Sequence, residues 1–293
     1  MTTATASTVC AIVVTHNRRA LLHRCLTALA AQERPVDTTL VVDNASSDGT
    51  ADLVRDAFPD VELLSLERNV GGAGGFEQGL SWGHRRGYDW LWLMDDDTLA
   101  LPDTLGALLD GARRAPGKAP LVVCSDVRWK DERPHPMNVP QPRWRERGHL
   151  ADAAARGLLA VRYATFVSLA VRREAIDRFG LPLADYFLWG DDVEFTARVL
   201  RRERGYLVAQ SRVYHWTPEP HQGAGLDSDR FYYHARNSLR LLRGTSLSAV
   251  ERLDYGRYYL RTIAGYVRAN RRNRRRLGLL LRGVRDGLRG PAP

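Results

Sequence analysis

Cysteine is scarce in this 293-residue chain. Cys10, Cys25 and Cys124 are odd in number and scattered, which argues against a disulfide framework and a zinc site and points to a reduced, cytoplasmic setting. Nowhere do about 20 apolar residues run together, so no helix is expected to span a membrane. The start, Met1-Thr2-Thr3, lacks the basic residues and apolar core of a secretion signal. No fixed-period repeat is present, which excludes a solenoid. Lysine is nearly missing: Lys118 and Lys130 are the only two among 43 basic residues.

The net charge of +9 is unevenly placed. Residues 243–293 carry thirteen Arg against Glu251, Asp254 and Asp286, a net of +10, while the other 242 residues hold 30 basic and 31 acidic groups. A non-catalytic polyanion-binding protein is therefore the rival from another functional class. The balanced body speaks against it, and carboxylates lining a cleft would repel a nucleic acid, so no nucleic-acid partner is expected.

What is present is concentrated acidity at the ends of apolar runs. Trp90-Leu91-Trp92-Leu93-Met94 reads as a buried strand, and Asp95-Asp96-Asp97 follow at its end. Three adjacent carboxylates repel one another and persist most easily where a hard cation such as Mg²⁺ or Mn²⁺ neutralises them. An acidic turn capping the next helix is the alternative. Ahead of this run, Val9–Thr15, Thr39–Val42 and Val61–Leu66 read as strands. Ala20–Leu29, Phe76–Arg86 and Pro102–Arg114 have helical spacing, and Gly71-Gly72-Ala73-Gly74-Gly75 reads as a loop. Such alternation predicts an α/β fold whose mostly parallel sheet is flanked by helices, with the strand carboxyl ends on one edge. Asp43, Asn69, the glycines and Asp95–Asp97 should converge there.

Pro120–Cys124 reads as a fifth strand, 126–157 as an irregular excursion, and Phe166–Val171 as a further strand. Asp191–Arg202 and Phe231–Leu242 read as helices, Tyr206–Val208 and Val213–His215 as short strands, and Thr217–Asp227 as a lid.

Asp43 is placed to accept a uracil or thymine imide N–H or a ribose hydroxyl, and Gly71 and Gly72 would let backbone N–H groups approach a diphosphate. In Trp189-Gly190-Asp191-Asp192-Val193-Glu194 one carboxylate suits a helix start. Asp192, beside an aromatic at a cleft mouth, is the better general-base candidate.

Taken together, Thr15-His16-Asn17-Arg18, Asp43-Asn44-Ala45-Ser46-Ser47-Asp48-Gly49-Thr50, Arg68-Asn69-Val70-Gly71-Gly72, Asp95-Asp96-Asp97, Trp189-Gly190-Asp191-Asp192-Val193-Glu194 and Tyr214-His215-Trp216 resemble the family 2 inverting glycosyltransferases of the GT-A fold. The likeness covers roughly residues 8–240. It is nearest to actinobacterial galactofuranosyltransferases, with rhamnosyltransferases next. The resemblance implies that Thr15, His16, Asn17, Arg18, Asp43, Asn69, Gly71, Gly72, Asp95 and Asp96 hold the nucleotide. It implies that Asp95, Asp97 and His215 bind Mn²⁺ or Mg²⁺, that Asp192 is the base, and that the acceptor lies against Trp189, Asp191 and Trp216. The implied reaction moves a sugar from a UDP-sugar, galactofuranose first, or from dTDP-rhamnose as the alternative, to a glycan, lipid-linked or small-molecule hydroxyl in cell-wall assembly. The chain is shorter than the polymerising members, so one or a few sugars should be added.

Two regions are expected: 1–242 as the GT-A catalytic domain and 243–293 as a C-terminal helical extension. In the latter, Leu277, Leu280, Leu281, Val284 and Leu288 fall at helical spacing among arginines. Such a basic amphipathic helix suits the anionic inner face of a cell membrane. The same leucines would equally serve packing on the body or on a partner copy.

Overall fold

The computed structural model describes residues 7–219 and 228–290. Strand and helix alternate from the start: β1 (Val9–Thr15), α1 (Arg19–Ala30), β2 (Thr38–Asp43), α2 (Thr50–Ala57), β3 (Glu62–Ser65), α3 (Gly71–Arg85), β4 (Trp90–Asp95), β5 (Thr98–Ala100) and α4 (Thr104–Arg114). The middle holds β6 (Val122–Arg128), β7 (Gln141–Pro142), α5 (Arg147–Ala154), β8 (Leu158–Tyr163), β9 (Leu169–Arg172), α6 (Arg173–Phe179), α7 (Asp191–Leu200) and β10 (Gly205–His215). Three helices follow: α8 (Phe231–Arg243), α9 (Ala249–Ala269) and α10 (Arg274–Arg289).

The strands form one open sheet in the order β3-β2-β1-β4-β9-β6-β10-β8-β7, with β5 on β10. The first four are parallel, as alternation with helices demands. Beyond them the sheet is mixed, because β9 runs antiparallel to both β4 and β6. Successive side chains of β1 point to opposite faces. Ala11 and Val13 pack with Leu22 and Leu26 of α1 and Leu105 and Leu108 of α4. Ile12 and Val14 pack with Phe76 and Leu80 of α3 and Phe195 and Val199 of α7. Helices thus cover both faces.

Four sequence expectations change. Gly71–Gly75 is the opening of α3 and not a loop. The glycines at 75, 79 and 83 form one helix face against the sheet. A methyl group at Gly79 would lie 2.4 Å from Ile12 Cγ2, and one at Gly83 2.5 Å from Leu91 Cδ2. Close approach of helix and strand, more than backbone freedom, requires glycine there; overpacking of this kind costs about 1–3 kcal/mol. Tyr206–Val208 and Val213–His215 belong to a single strand, β10, whose register slips between Val208 and Arg212. The excursion at 126–157 contains the end of β6, β7 and α5. Within the expected lid, residues 220–227 lie outside the described residues.

The fourth change concerns α10. Its Leu280 is buried and Val284 packs with Phe231, Ala235 and Tyr266. Gly283 and Gly287 bring it against α8, where a methyl group would lie 2.6 Å from the Tyr232 carbonyl oxygen and 2.7 Å from that of Arg236. Two of the five residues of the expected membrane stripe, Leu280 and Val284, are therefore used inside the protein, while Leu281 and Leu288 stay exposed. Helix α9 starts with a capping box between Ser248 and Glu251, and Glu251 also accepts from Arg162 Nε at 2.7 Å. That ion pair fastens the C-terminal helices to β8.

Candidate active site

Parallel pairing sets Thr15 beside Asp43 and Val14 beside Asp95, so three strand ends share one edge of the sheet. Hydrogen bonds tie the expected nucleotide residues into a frame there. Asp43 is buried and its Oδ1 accepts from Ser46 N at 3.0 Å. Asn17, with φ of +54°, takes Ser46 Oγ on its backbone N–H and offers Oδ1 to Ser47 N at 2.7 Å. His16 Nδ1 donates to the Asn44 carbonyl at 2.8 Å. Asn44 in turn accepts from Val70 N and donates to the Gly71 carbonyl, which joins the β2 turn to the start of α3. Asn69 Oδ1 accepts from Gly71 N at 2.8 Å. Gly71 has φ of +77° and a methyl group there would collide with the Phe187 carbonyl, whereas one at Gly72 would meet open space.

The three carboxylates after β4 divide their work. Asp96 and Asp97 are buried, and Asp95 is partly exposed. Thr15 Oγ1 donates to Asp96 Oδ2 at 2.8 Å, and Arg18 Nη1 donates to Asp97 Oδ2 at 2.7 Å and Asp96 Oδ1 at 3.3 Å. Burial, partly offset by Arg18, pushes the Asp96 carboxyl up to about 7. Strand β5 then returns antiparallel to β10, which sets Thr98 opposite His215. His215 Nε2 comes to 3.1 Å from Asp97 Oδ1 and 4.0 Å from Asp95 Oδ2.

These residues fit a divalent cation. One ligand atom from each of Asp95, Asp97 and His215 lies within 4.8 Å of the others. Asp97 Oδ1 is fully buried, and among the described residues its partner is the His215 ring, 3.1 Å away. His215 Nδ1 donates to Asn138 Oδ1 at 2.8 Å, and Asn138 is itself oriented by donating Nδ2 to Thr165 Oγ1. A neutral ring held in this way turns the Nε2 lone pair toward the two carboxylates, as metal-ligating imidazoles require. Burial opposes a charged ring, but Asp97 and Asp95 outweigh it and raise the His215 pKa. A proton or a metal ion is thus needed between the ring and the acids.

A cavity of about 1120 Å³ opens beside this cluster, lined by Asp95, His215, Gly72, Trp189, Asp191 and Asp192 among others. Asp191 and Asp192 open α7 after Gly190, which has φ of +86°. Asp192 Oδ1 accepts from Val193 N at 2.7 Å. Burial raises the Asp192 carboxyl to about 6 and pushes Asp191 well above the carboxylate range. Glu194 is buried and spoken for: it pairs with Arg198 at 2.9 Å and accepts from Ser246 Oγ at 2.7 Å. Of the three carboxylates at the start of α7, Asp192 is the one whose proton affinity suits acid–base work near neutral pH.

The turn before α7 is strained, with Phe187 and Trp189 at φ of +61° and +64°. Asn237 of α8 holds it. Its Nδ2 donates to the carbonyls of Tyr186, Leu188 and Trp189 at 3.0, 2.9 and 2.7 Å. Arg236 donates to Asp185 and Tyr186 carbonyls. An Arg-Asn pair on a helix suggests diphosphate contact, but here both side chains fix backbone. The pattern of residues cannot reveal this, since the acceptors are carbonyls of a distant turn. Asn138 likewise escapes sequence reasoning, sitting in a Pro-rich stretch without periodicity. Trp216 does not line the cavity: Arg24 stacks on its ring at 4.5 Å, with Lys130 at 5.1 Å. Of the three expected acceptor residues, Trp189 and Asp191 alone face the space next to Asp192.

The sequence of residues 10–180 matches the model of glycosyl transferase family 2. Galactofuranosyltransferase GlfT1 of Mycolicibacterium smegmatis is 34% identical over 202 residues, which is 66% of this chain and 65% of that protein. This chain thus spans slightly under two thirds of that relative's length. Among solved structures, S. aureus TarS 1–349 in complex with UDP-GlcNAc superposes with a TM-score of 0.63 at 16% identity, covering 98% of this chain and 82% of that 1–349 chain. The mannosyltransferase PcManGT from Pyrobaculum calidifontis, in complex with GDP-Man and Mn²⁺, gives a TM-score of 0.55 at 22% identity, covering 97% and 81%. The architecture is that of the GT-A glycosyltransferases.

Proposed function

We infer the reaction from one premise: this chain belongs to glycosyl transferase family 2 and is a glycosyltransferase. Beyond that premise, we propose that it is an inverting, metal-dependent enzyme with galactofuranose, carried on UDP, as its donor sugar. The observation that carries this is a single cavity onto which both the Asp95–Asp97–His215 cluster and Asp192 open. The donor follows from likeness to a galactofuranosyltransferase. The frame at Thr15, His16, Asn17, Arg18, Asp43 and Asn69 is assigned to the nucleotide, and Gly72 with Asp95 to the diphosphate side. A divalent ion held by Asp95, Asp97 and His215 would offset charge on the leaving diphosphate.

The other roles belong to this chain's own side chains. Asp192 accepts the proton of an acceptor hydroxyl as its oxygen bonds to the anomeric carbon. The bond from that carbon to the diphosphate oxygen breaks, and the nucleoside diphosphate leaves with the electron pair. One displacement inverts the centre, and no carboxylate nucleophile is used. Asn237 keeps Trp189 and Asp192 aimed into the cavity through the turn it binds. Trp189 offers an aromatic face to the acceptor. We assign the acceptor to a lipid-linked glycan or related hydroxyl compound presented at an anionic membrane, in keeping with the +10 charge of residues 243–293. Among the described residues no helix is long and apolar enough to cross a membrane.

Thermal shift against UDP, dTDP and GDP, with and without Mn²⁺, tests the donor. The expected result is metal-dependent stabilisation by UDP above the other two. A preference for dTDP would replace galactofuranose with rhamnose, and stabilisation by none of the three would overturn the nucleotide site.

A further inference from the structure

The longest helix, α9, has four distinct sides. Its Tyr259 and Tyr266 are buried against the body. Leu253, Leu260 and Val267 fall seven residues apart and are 55%, 66% and 40% exposed. With about 100° per residue they form one line along the helix. Ala264 continues this line, so the stripe runs from Leu253 to Val267. Arg257, Arg261 and Arg268 come next, about 60–100° further round. Asp254 and Tyr258 follow them and line the cavity that holds Asp192. Stripe, arginine row and cavity wall therefore succeed one another around a single helix.

We propose that α9 is a membrane-seating helix. Its apolar line enters an anionic lipid surface, its arginine row lies at the level of the lipid phosphates, and the cavity mouth faces that level. This rests on the glycosyltransferase reading only for what the seat is for. The seat itself follows from the exposed stripe and from the cations beside it. Apolar area together with basic residues is what holds interfacial helices on anionic lipid. Arg257 pairs with Asp254 at 3.2 Å, leaving Arg261 and Arg268 without ion pairs among the described residues. A second copy of this chain is the poorer occupant. Pairing two such stripes would bring arginine rows together with no acidic row to meet them. The surface differs from the leucine line of α10, part of which is packed on α8.

Flotation of the full chain on vesicles of phosphatidylcholine with 30–40% phosphatidylglycerol (about the anionic content that gives a strong surface potential) tests the seat. Three proteins are compared: the parent, Leu253→Glu/Leu260→Glu, and Leu281→Glu/Leu288→Glu. The expected result is flotation of the parent that weakens in high salt, a loss of at least about tenfold in the α9 variant, and retention in the α10 variant. Equal flotation of parent and α9 variant, or none by the parent, would overturn the proposal. So would a parent that is dimeric by light scattering without lipid and that the α9 substitutions render monomeric without any flotation. Stabilisation by UDP and Mn²⁺ is measured on all three proteins. Its retention in the α9 variant shows that the fold survives, and its absence from the parent would count against the enzyme reading while leaving the flotation result standing.

Discussion

Asp192→Asn is expected to lower turnover by about 10²- to 10⁴-fold, the usual contribution of a positioned general base. Asn keeps the shape of the side chain and its place after Gly190 but cannot accept the acceptor's proton. Binding of UDP should change little, because the hydrogen bonds that hold Thr15 and Asp43 do not involve Asp192, whose Oδ1 accepts from Val193 N. The pH profile sharpens the expectation. Burial raises the Asp192 carboxyl to about 6. It is therefore protonated and inactive below that pH, and turnover of the parent should climb as pH rises through about 6. The residual activity of Asp192→Asn should lack that limb. Steady-state rates from pH 5 to 8 check both statements. Near-parental turnover in the variant would move the base elsewhere, with Asp191 as the nearest candidate.

His215→Ala is expected to abolish the response to Mn²⁺, both in nucleotide-dependent stabilisation and in turnover. Loss of partners one step out from a metal costs about 10–100-fold, so Asn138→Ala should fall in that range and His215→Ala at or beyond it. The graded pair matters. Asn138 touches none of the carboxylates, and acts through the 2.8 Å bond to His215 Nδ1. A merely structural role for Asn138 would lower melting temperature without changing the Mn²⁺ concentration giving half-maximal response. Titration of Mn²⁺ against thermal shift and against rate separates the two. Undiminished Mn²⁺ dependence in His215→Ala would remove the ring from the metal site and leave the two aspartates to hold it.

Much of the candidate site's edge of the sheet was legible in the sequence, for a physical reason. Short apolar runs that alternate with helical stretches pack as buried parallel strands, and parallel strands bring their ends together. Thr15, Asp43 and Asp95 therefore had to meet. Elements stabilised by distant partners were harder to read. Glycines at 71–75 look like a loop in isolation, yet they begin α3, since Gly75 and Gly79 fit against Val14 and Ile12. Strand β9 inserts antiparallel between β4 and β6, which nothing in its own four residues signals. The side chains that orient others, Asn138 and Asn237, were the least visible. Their partners are a ring and three carbonyls, contributed by segments far away in the chain. The leucines of α10 illustrate a further ambiguity: helical spacing fixes which residues share a face but not what covers it.

The measurement that bears most directly on the mechanism is the anomeric configuration of the product. The parent enzyme is supplied with UDP-galactofuranose, Mn²⁺ and an acceptor alcohol, and the new glycosidic bond is read by NMR. A single displacement assisted by Asp192 predicts a linkage of configuration opposite to that of the donor. A product that retains the donor configuration would contradict it, because it requires a second displacement and a nucleophile that Asp192 alone does not supply.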